Sequence, residues 1–248
     1  MRSICKIILI ILLNFGFLLN LKALTIKPTI VEITASPKET ISGVYSIKND
    51  SGNPVTISVE PETFYGAGIN KWLKLEPGLF TLQPGEEKKV KYNVNLPEDF
   101  KDEYSAKIFF TQNPVTDTAV GAAIVTRLGS SFYVSALGKE IISTEIKYFS
   151  IHNSQDLKLS VTMINDGNVH LRFFYDLVFF KDGVQVHKTD KKPLTVIIPG
   201  RDRSVDLPLP LKKILLPGKY QAVINLYYGN IKPYENKLSG MTDFEVKE

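Results

Sequence analysis

Three histidines (His152, His170 and His187), one cysteine (Cys5) and scattered carboxylates are the groups of this 248-residue chain that metal binding or catalysis would draw on first. Histidine and cysteine at short, regular spacing hold zinc, and a histidine set beside Ser and Asp activates a nucleophile. Neither pattern occurs here. The histidines lie far apart, and a lone histidine in a strand-rich stretch reads as a structural residue satisfied by its neighbours. One cysteine excludes an intramolecular disulfide framework, a multi-cysteine zinc site and an iron–sulfur cluster. No Gly-x-Ser-x-Gly, Walker loop, dinucleotide fingerprint or His-Glu-x-x-His can be read. The acidic pair Asp102-Glu103 falls in a hydrophilic link and reads as solvated. The residues therefore point to a protein that is not an enzyme, with no metal and no cofactor. Lys88-Lys89-Val90-Lys91 reads as the wet face of a strand. Asn49-Asp50-Ser51 satisfies a glycosylation sequon, but its place in a turn repeat accounts for it without a sugar.

What would position any binding residues begins at the N-terminus. Arg2 and Lys6 precede fifteen uncharged residues, Ile7 to Leu21, and Lys22-Ala23 follows. A basic start, a short apolar run and a small terminal residue form a secretory signal, expected to be cleaved after Ala23. The run is short for a membrane span of roughly 20 residues, so no integral span is expected after cleavage. The formal charge of +4 loses three cations with this leader and becomes +1, leaving 27 basic and 26 acidic residues and no cysteine. That balance excludes nucleic-acid binding driven by excess positive charge. The expected product is periplasmic or otherwise exported.

Beyond Ala23, period-two alternation replaces any helical period. Val44–Lys48, Val55–Val59, Lys88–Leu96, Ser105–Thr111 and Ala122–Val134 read as strands separated by Gly, Pro and Asn turns. The signals then recur in order. Ile47-Lys48-Asn49-Asp50-Ser51-Gly52-Asn53 returns as Met163-Ile164-Asn165-Asp166-Gly167-Asn168. Leu82-Gln83-Pro84-Gly85 returns as Ile197-Ile198-Pro199-Gly200. From the Asn to the Pro of Pro-Gly the interval is 35 residues in the first copy and 34 in the second. Leu-Pro before Tyr104 and again before Tyr220 resembles a tyrosine corner, and Asp182-Gly183 marks a tight hairpin. The fold class is all-β: two tandem immunoglobulin-like sandwiches after the signal peptide. The expected boundaries are 24–135 and 140–248, with the junction in Ala136-Leu137-Gly138-Lys139.

Within the first module, Pro77, Phe80, Leu82, Pro84 and Gly85 form a Pro-x-x-Phe-x-Leu-x-Pro-Gly stretch. With the opening Leu24–Glu32 and the long strand near Arg127–Tyr133, this resembles the PapD-like periplasmic pilus chaperones. The resemblance covers most of the first module and only the general plan of the second. It implies a protein partner, a pilin-like or other secreted subunit, completed by β-augmentation from the last long strand of the first module. On Ala122–Val134 the face that would serve is Ile124, Thr126, Leu128, Ser130 and Phe132, preceded by a polar loop at Thr111–Gly121. The same side chains would equally complete the module's own core, because any period-two strand has one apolar face. The family also holds the subunit's terminal carboxylate with two basic residues in the cleft between its domains. Here the first-strand position is Ile30 and the usual Lys of the last strand is absent, so Lys27 and Arg127 are the expected substitutes. A non-enzymatic surface or periplasmic module binding carbohydrate, cell wall or protein is the alternative. A hydrolase is the least supported.

Overall fold

The computed structural model describes residues 24–65, 69–113, 125–153, 156–211 and 214–247. The leader at 1–23 and Ile124 lie outside them. Alternating β-branched and aromatic residues become strands almost throughout. In the first half these are β1 (Leu24–Lys27), β2 (Ile30–Ala35), β3 (Thr40–Asn49), β4 (Val55–Tyr65), β5 (Leu73–Glu76), β6 (Leu79–Leu82), β7 (Glu87–Asn95), β8 (Tyr104–Asn113) and β9 (Arg127–Ala136), with a single helical turn, α1 (Ile69–Trp72). They form two sheets, ordered β1-β3-β7-β5 and β2-β9-β8-β4-β6. The chain changes sheets between β1 and β2 at Pro28, which has no N–H with which to extend the first ladder. Ile47, Val90 and Val94 of one sheet meet Ile57, Ile108, Phe110 and Phe132 of the other in a core that excludes water. Tyr45 lies at its centre, against the rings of Tyr92 and Phe110.

The second half repeats the plan with β10 (Thr144–Asn153), β11 (Leu157–Asn165), β12 (Leu171–Lys181), β13 (Val184–Lys188), β14 (Lys192–Ile197), β15 (Arg201–Leu209), β16 (Gly218–Gly229) and β17 (Asn236–Val246). One sheet runs β10-β11-β15, and the other runs β13-β12-β16-β17 with β14 also on β12. A separate core gathers Leu159, Val161 and Met163 against Phe173, Leu177, Phe179, Ile224 and Leu226. The chain is thus all-β, in two immunoglobulin-like sandwiches. At the β12–β13 hairpin both Asp182 (φ 51°) and Gly183 (φ 77°) are left-handed, the backbone that a two-residue turn matched to strand twist demands.

The repeated sequence signals turn out to be bonded to one another. Asn49 is buried, and its amide donates to the carbonyls of Asn53 (2.8 Å) and Leu82 (3.2 Å) while its Oδ1 accepts from Ser51 N. Its own carbonyl accepts from Gly85 N at 2.8 Å. Asn165 does the same: it donates to Val169 and Ile197 carbonyls (2.8 and 2.9 Å) and accepts from Gly167 N and Gly200 N. In each module one buried amide ties the turn after β3 or β11 to the Pro-Gly turn of the facing sheet. The shared interval of 35 and 34 residues records that contact. The Tyr signal divides instead. Tyr220 donates its hydroxyl to Leu216 O at 2.7 Å, a tyrosine corner. Tyr104 makes none and packs its ring against Trp72 and Phe100.

Candidate functional site

Strand β9 has two unlike halves. From Ser131 to Val134 it lies between β8 and β2, and Ser135 and Ala136 continue on β2 alone. From Arg127 to Ser130 it pairs with β8 alone, since the parallel register with β2 begins at Ile30↔Ser131. Thr126 O accepts from Gln112 N of β8, and Ser131 N donates to Thr29 O on the other side. Alternation therefore turns the N–H and C=O of Arg127 and Gly129 away from β8, toward an edge that no described strand occupies. A row of unpaired backbone groups of this kind is a template for another strand.

The outward face of this sheet leads down into a cleft between the modules. Side chains at Ile30, Phe64, Lys107 and Ser131 line one wall of a cavity of about 320 Å³, and Arg172, Arg201, Asp202 and Arg203 line the other. Lys107 and Ser131 are register partners on β8 and β9, and Lys107 Nζ donates to Ser131 Oγ at 2.6 Å. Burial, and then the charge of Arg172, hold the Lys107 ammonium below its ordinary pKa. Arg201 and Arg203 continue the parity of Val205 and Leu207 beyond the end of the second core and project at the rim. Among the described residues no carboxylate forms an ion pair with Lys107, Arg201 or Arg203. The pocket therefore concentrates positive charge with hydrogen-bond donors on both walls, the chemistry that binds a carboxylate.

Below the cavity the modules are fastened. His170 of the second module is buried, with its ring stacked 3.7 Å from that of Tyr133 on β9. Its Nδ1 lies 2.7 Å from Glu103 Oε2, its backbone N–H donates to Glu103 Oε1 at 2.8 Å, and its Nε2 is 3.3 Å from Glu32 Oε1. Arg172 donates to the same Glu32 oxygen through Nε (3.2 Å) and Nη2 (2.6 Å). Burial alone would depress the imidazole, but hydrogen bonds to Glu103 and Glu32 outweigh it and hold His170 above its ordinary pKa. Burial would likewise raise Glu32, and the bonds from His170 and Arg172 reverse that and keep it low.

The residues singled out from the sequence are dispersed by this geometry. Phe132 is in the core of its own module, Leu128 packs on that core, and Ser130 donates to Pro28 O at 3.1 Å. Thr126 is half-buried, next to β8. Arg127 stacks its guanidinium 3.5 Å over the Phe109 ring and pairs with Glu62 at 3.2 Å. Lys27 ends β1 in the other sheet, opposite Ser46. Neither lines the cavity. Glu103, read as solvated, is fully buried against His170. Lys107 went unnoticed because its placement depends on the β8–β9 register. The signal that could have found it is parity: it shares an outward face with Ser105 and Phe109.

Among the described residues no cluster of His, Cys, Asp and Glu could hold a metal ion, and no described helix is long and apolar enough to cross a membrane. No protein-family model matches the sequence, and no curated protein is detectably related to it. Among solved structures the chain is similar to the YadV chaperone, with 14% identity over 89% of this chain and 99% of that one and a TM-score of 0.47. It is also similar to the E. coli chaperone DraB, with 15% identity over 91% and 98% and a TM-score of 0.43. A chain of the Salmonella enterica SafA pilin–SafB chaperone complex matches with 10% identity over 92% and 98% and a TM-score of 0.48.

Proposed function

We propose that this chain is an exported, non-enzymatic PapD-like chaperone or assembly factor for surface-fibre subunits. It lends the free edge of β9 to a subunit strand and holds that strand's terminal carboxylate in the cleft. The observation that carries this reading is the alignment of the two: the unpaired edge at Arg127 and Gly129 runs directly into the wall formed by Ser131 and Lys107. The two residues offer up to four backbone hydrogen bonds, each contributing about 0.5–1.5 kcal/mol. In the cleft, Ile30, the position to which the resemblance assigns the family's first-strand basic residue, is the register partner of Ser131, and Lys107 brings a cation to the same point from the neighbouring strand. Arg201 and Arg203 add charge from the opposite wall. Leu128, Ser130 and Phe132 are occupied by their own core, so donation is assigned to the strand's N-terminal end. The alternative of a simple binding module requires a cleft without an anion site. Three cationic side chains outside any ion pair among the described residues, Lys107, Arg201 and Arg203, set against the one lining carboxylate Asp202, speak against it.

The test is co-purification of secreted subunits from the periplasm with the wild type and variants. A charge-assisted hydrogen bond is worth about 1.5–3 kcal/mol, so Lys107→Ala should lower recovery of the partner roughly 10- to 100-fold, and Lys107→Arg should restore much of it. Arg127→Ala should have the smaller effect. Undiminished recovery with Lys107→Ala would overturn the assignment of the carboxylate site.

A further inference from the structure

His170 joins two walls of the cleft through groups that cannot all be satisfied by a neutral ring. Both ring nitrogens face carboxylate oxygens, at 2.7 Å from Glu103 and 3.3 Å from Glu32. A neutral imidazole has one N–H and must turn a lone pair toward one of them, whereas the imidazolium donates at both. The charge count agrees. Glu103 and Glu32 bring two negative charges, and Arg172 brings one positive. The Glu103 side chain is wholly inaccessible to solvent, where an uncompensated charge is costly. The other titratable or charged neighbours are few. Tyr133 of β9 lies flat on the ring, Tyr234 after β16 faces Arg172 and Glu32, and Lys107 of β8 faces Arg172. None supplies the missing positive charge to Glu103.

We propose that His170 is a positioning residue of the cleft: protonated, it binds Glu103 and Glu32 together and fixes the spacing between Lys107 and the arginines of the second module, and on losing its proton it frees the modules to hinge at the Gly138 turn. The inference rests on the cleft being the client site, since that is what the spacing would serve. The direction in pH follows. A histidine raised in the folded state contributes fully below its unfolded value of about 6.5 and stops contributing as pH climbs through the folded value. Glu32, which is lowered, contributes above the ordinary carboxylate range and stops as pH falls through its depressed value. The joint is therefore firm in mildly acidic medium and loosens through His170 as pH rises past the ordinary histidine value.

Cys5 is the single cysteine, so Cys5→Ser with Lys74→Cys and Lys158→Cys permits one spin label on an exposed strand of each module. The interspin distance and the His170 ring resonances are followed together across pH, without any client. The expected result is one narrow distance distribution in mildly acidic medium, lost with the same midpoint as the ring titration. His170→Gln should show the broad distribution at every pH. A distribution that stays narrow while the ring titrates, or that stays narrow in His170→Gln, overturns the proposal. If His170→Gln does not fold, the wild-type pH series decides alone. Since no client is present, loss of this proposal leaves the Lys107 co-purification result standing, and the converse also holds.

Discussion

The turn that follows β3 and the turn that follows β11 share one skeleton and have different employment. In both, a buried asparagine spends its amide on two carbonyls and accepts from the residue two places on. Counting from that asparagine, Ser51 corresponds to Gly167 and Pro54 to His170. The first turn ends at the surface, with Pro54 exposed. The second receives the linker: Ile141 N donates to Asn168 Oδ1, Asn168 donates to Lys139 O, and two residues later His170 enters the joint. A loop whose geometry is already paid for within its own sandwich can take a new partner by changing the residues after the Asn-Asp pair, where Ser51, Gly52, Asn53 and Pro54 give way to Gly167, Asn168, Val169 and His170, without rebuilding its hydrogen bonds.

Removing the shared skeleton should have the largest effect and should be alike in both copies. Asn49→Ala and Asn165→Ala each strand buried carbonyls and an amide, at a cost of about 3 kcal/mol to the module concerned. Trp72 is the single tryptophan, so its fluorescence reports the first module during denaturation, while hydrogen exchange follows both. A markedly unequal pair of losses would break the equivalence of the turns. Exchanging the differing residues should come next. A Cβ on Gly167 would sit 2.1 Å from the Ile141 carbonyl oxygen, so Gly167→Ser should cost about 1–3 kcal/mol. Ser51→Gly should cost less, about 1 kcal/mol, because the backbone bond to Asn49 Oδ1 is kept and only a part-buried hydroxyl bond to Asn49 and an exposed one to Asn53 are lost. The smallest contrast is at the tyrosines. Tyr220→Phe loses the bond to Leu216 O and about 1 kcal/mol, and Tyr104→Phe should leave stability unchanged in the same melts.

What could be read from the sequence follows the same division. The sandwiches, the Asp182-Gly183 hairpin and the asparagine turns were legible because each is specified by residues close in sequence or by an interval that recurs. The joint was not. Glu32, Glu103 and His170 are separated by 67 and 138 residues, measured from His170, and nothing in their local pattern distinguishes them from solvated acids and a lone histidine. Lys107 is a similar case, visible only once β8 and β9 are set in register. Arg127 was singled out for lying on the right strand, but its guanidinium is engaged by Phe109 and Glu62.

The burial of Asn49 also bears on how the protein can be made. Asn49-Asp50-Ser51 is a glycosylation acceptor, and a eukaryotic secretory host modifies such sites as the nascent chain emerges, before folding hides them. A sugar on Nδ2 would replace one of the two N–H groups that serve Asn53 O and Leu82 O and place a bulky group where the two sheets meet. Secretion from yeast or mammalian cells should therefore yield little folded material, and Asn49→Gln, the usual remedy, would sacrifice the same bonds. Ser51→Ala abolishes the acceptor and gives up only the hydroxyl contacts to Asn49 and Asn53. It is the substitution that would open such hosts to this chain.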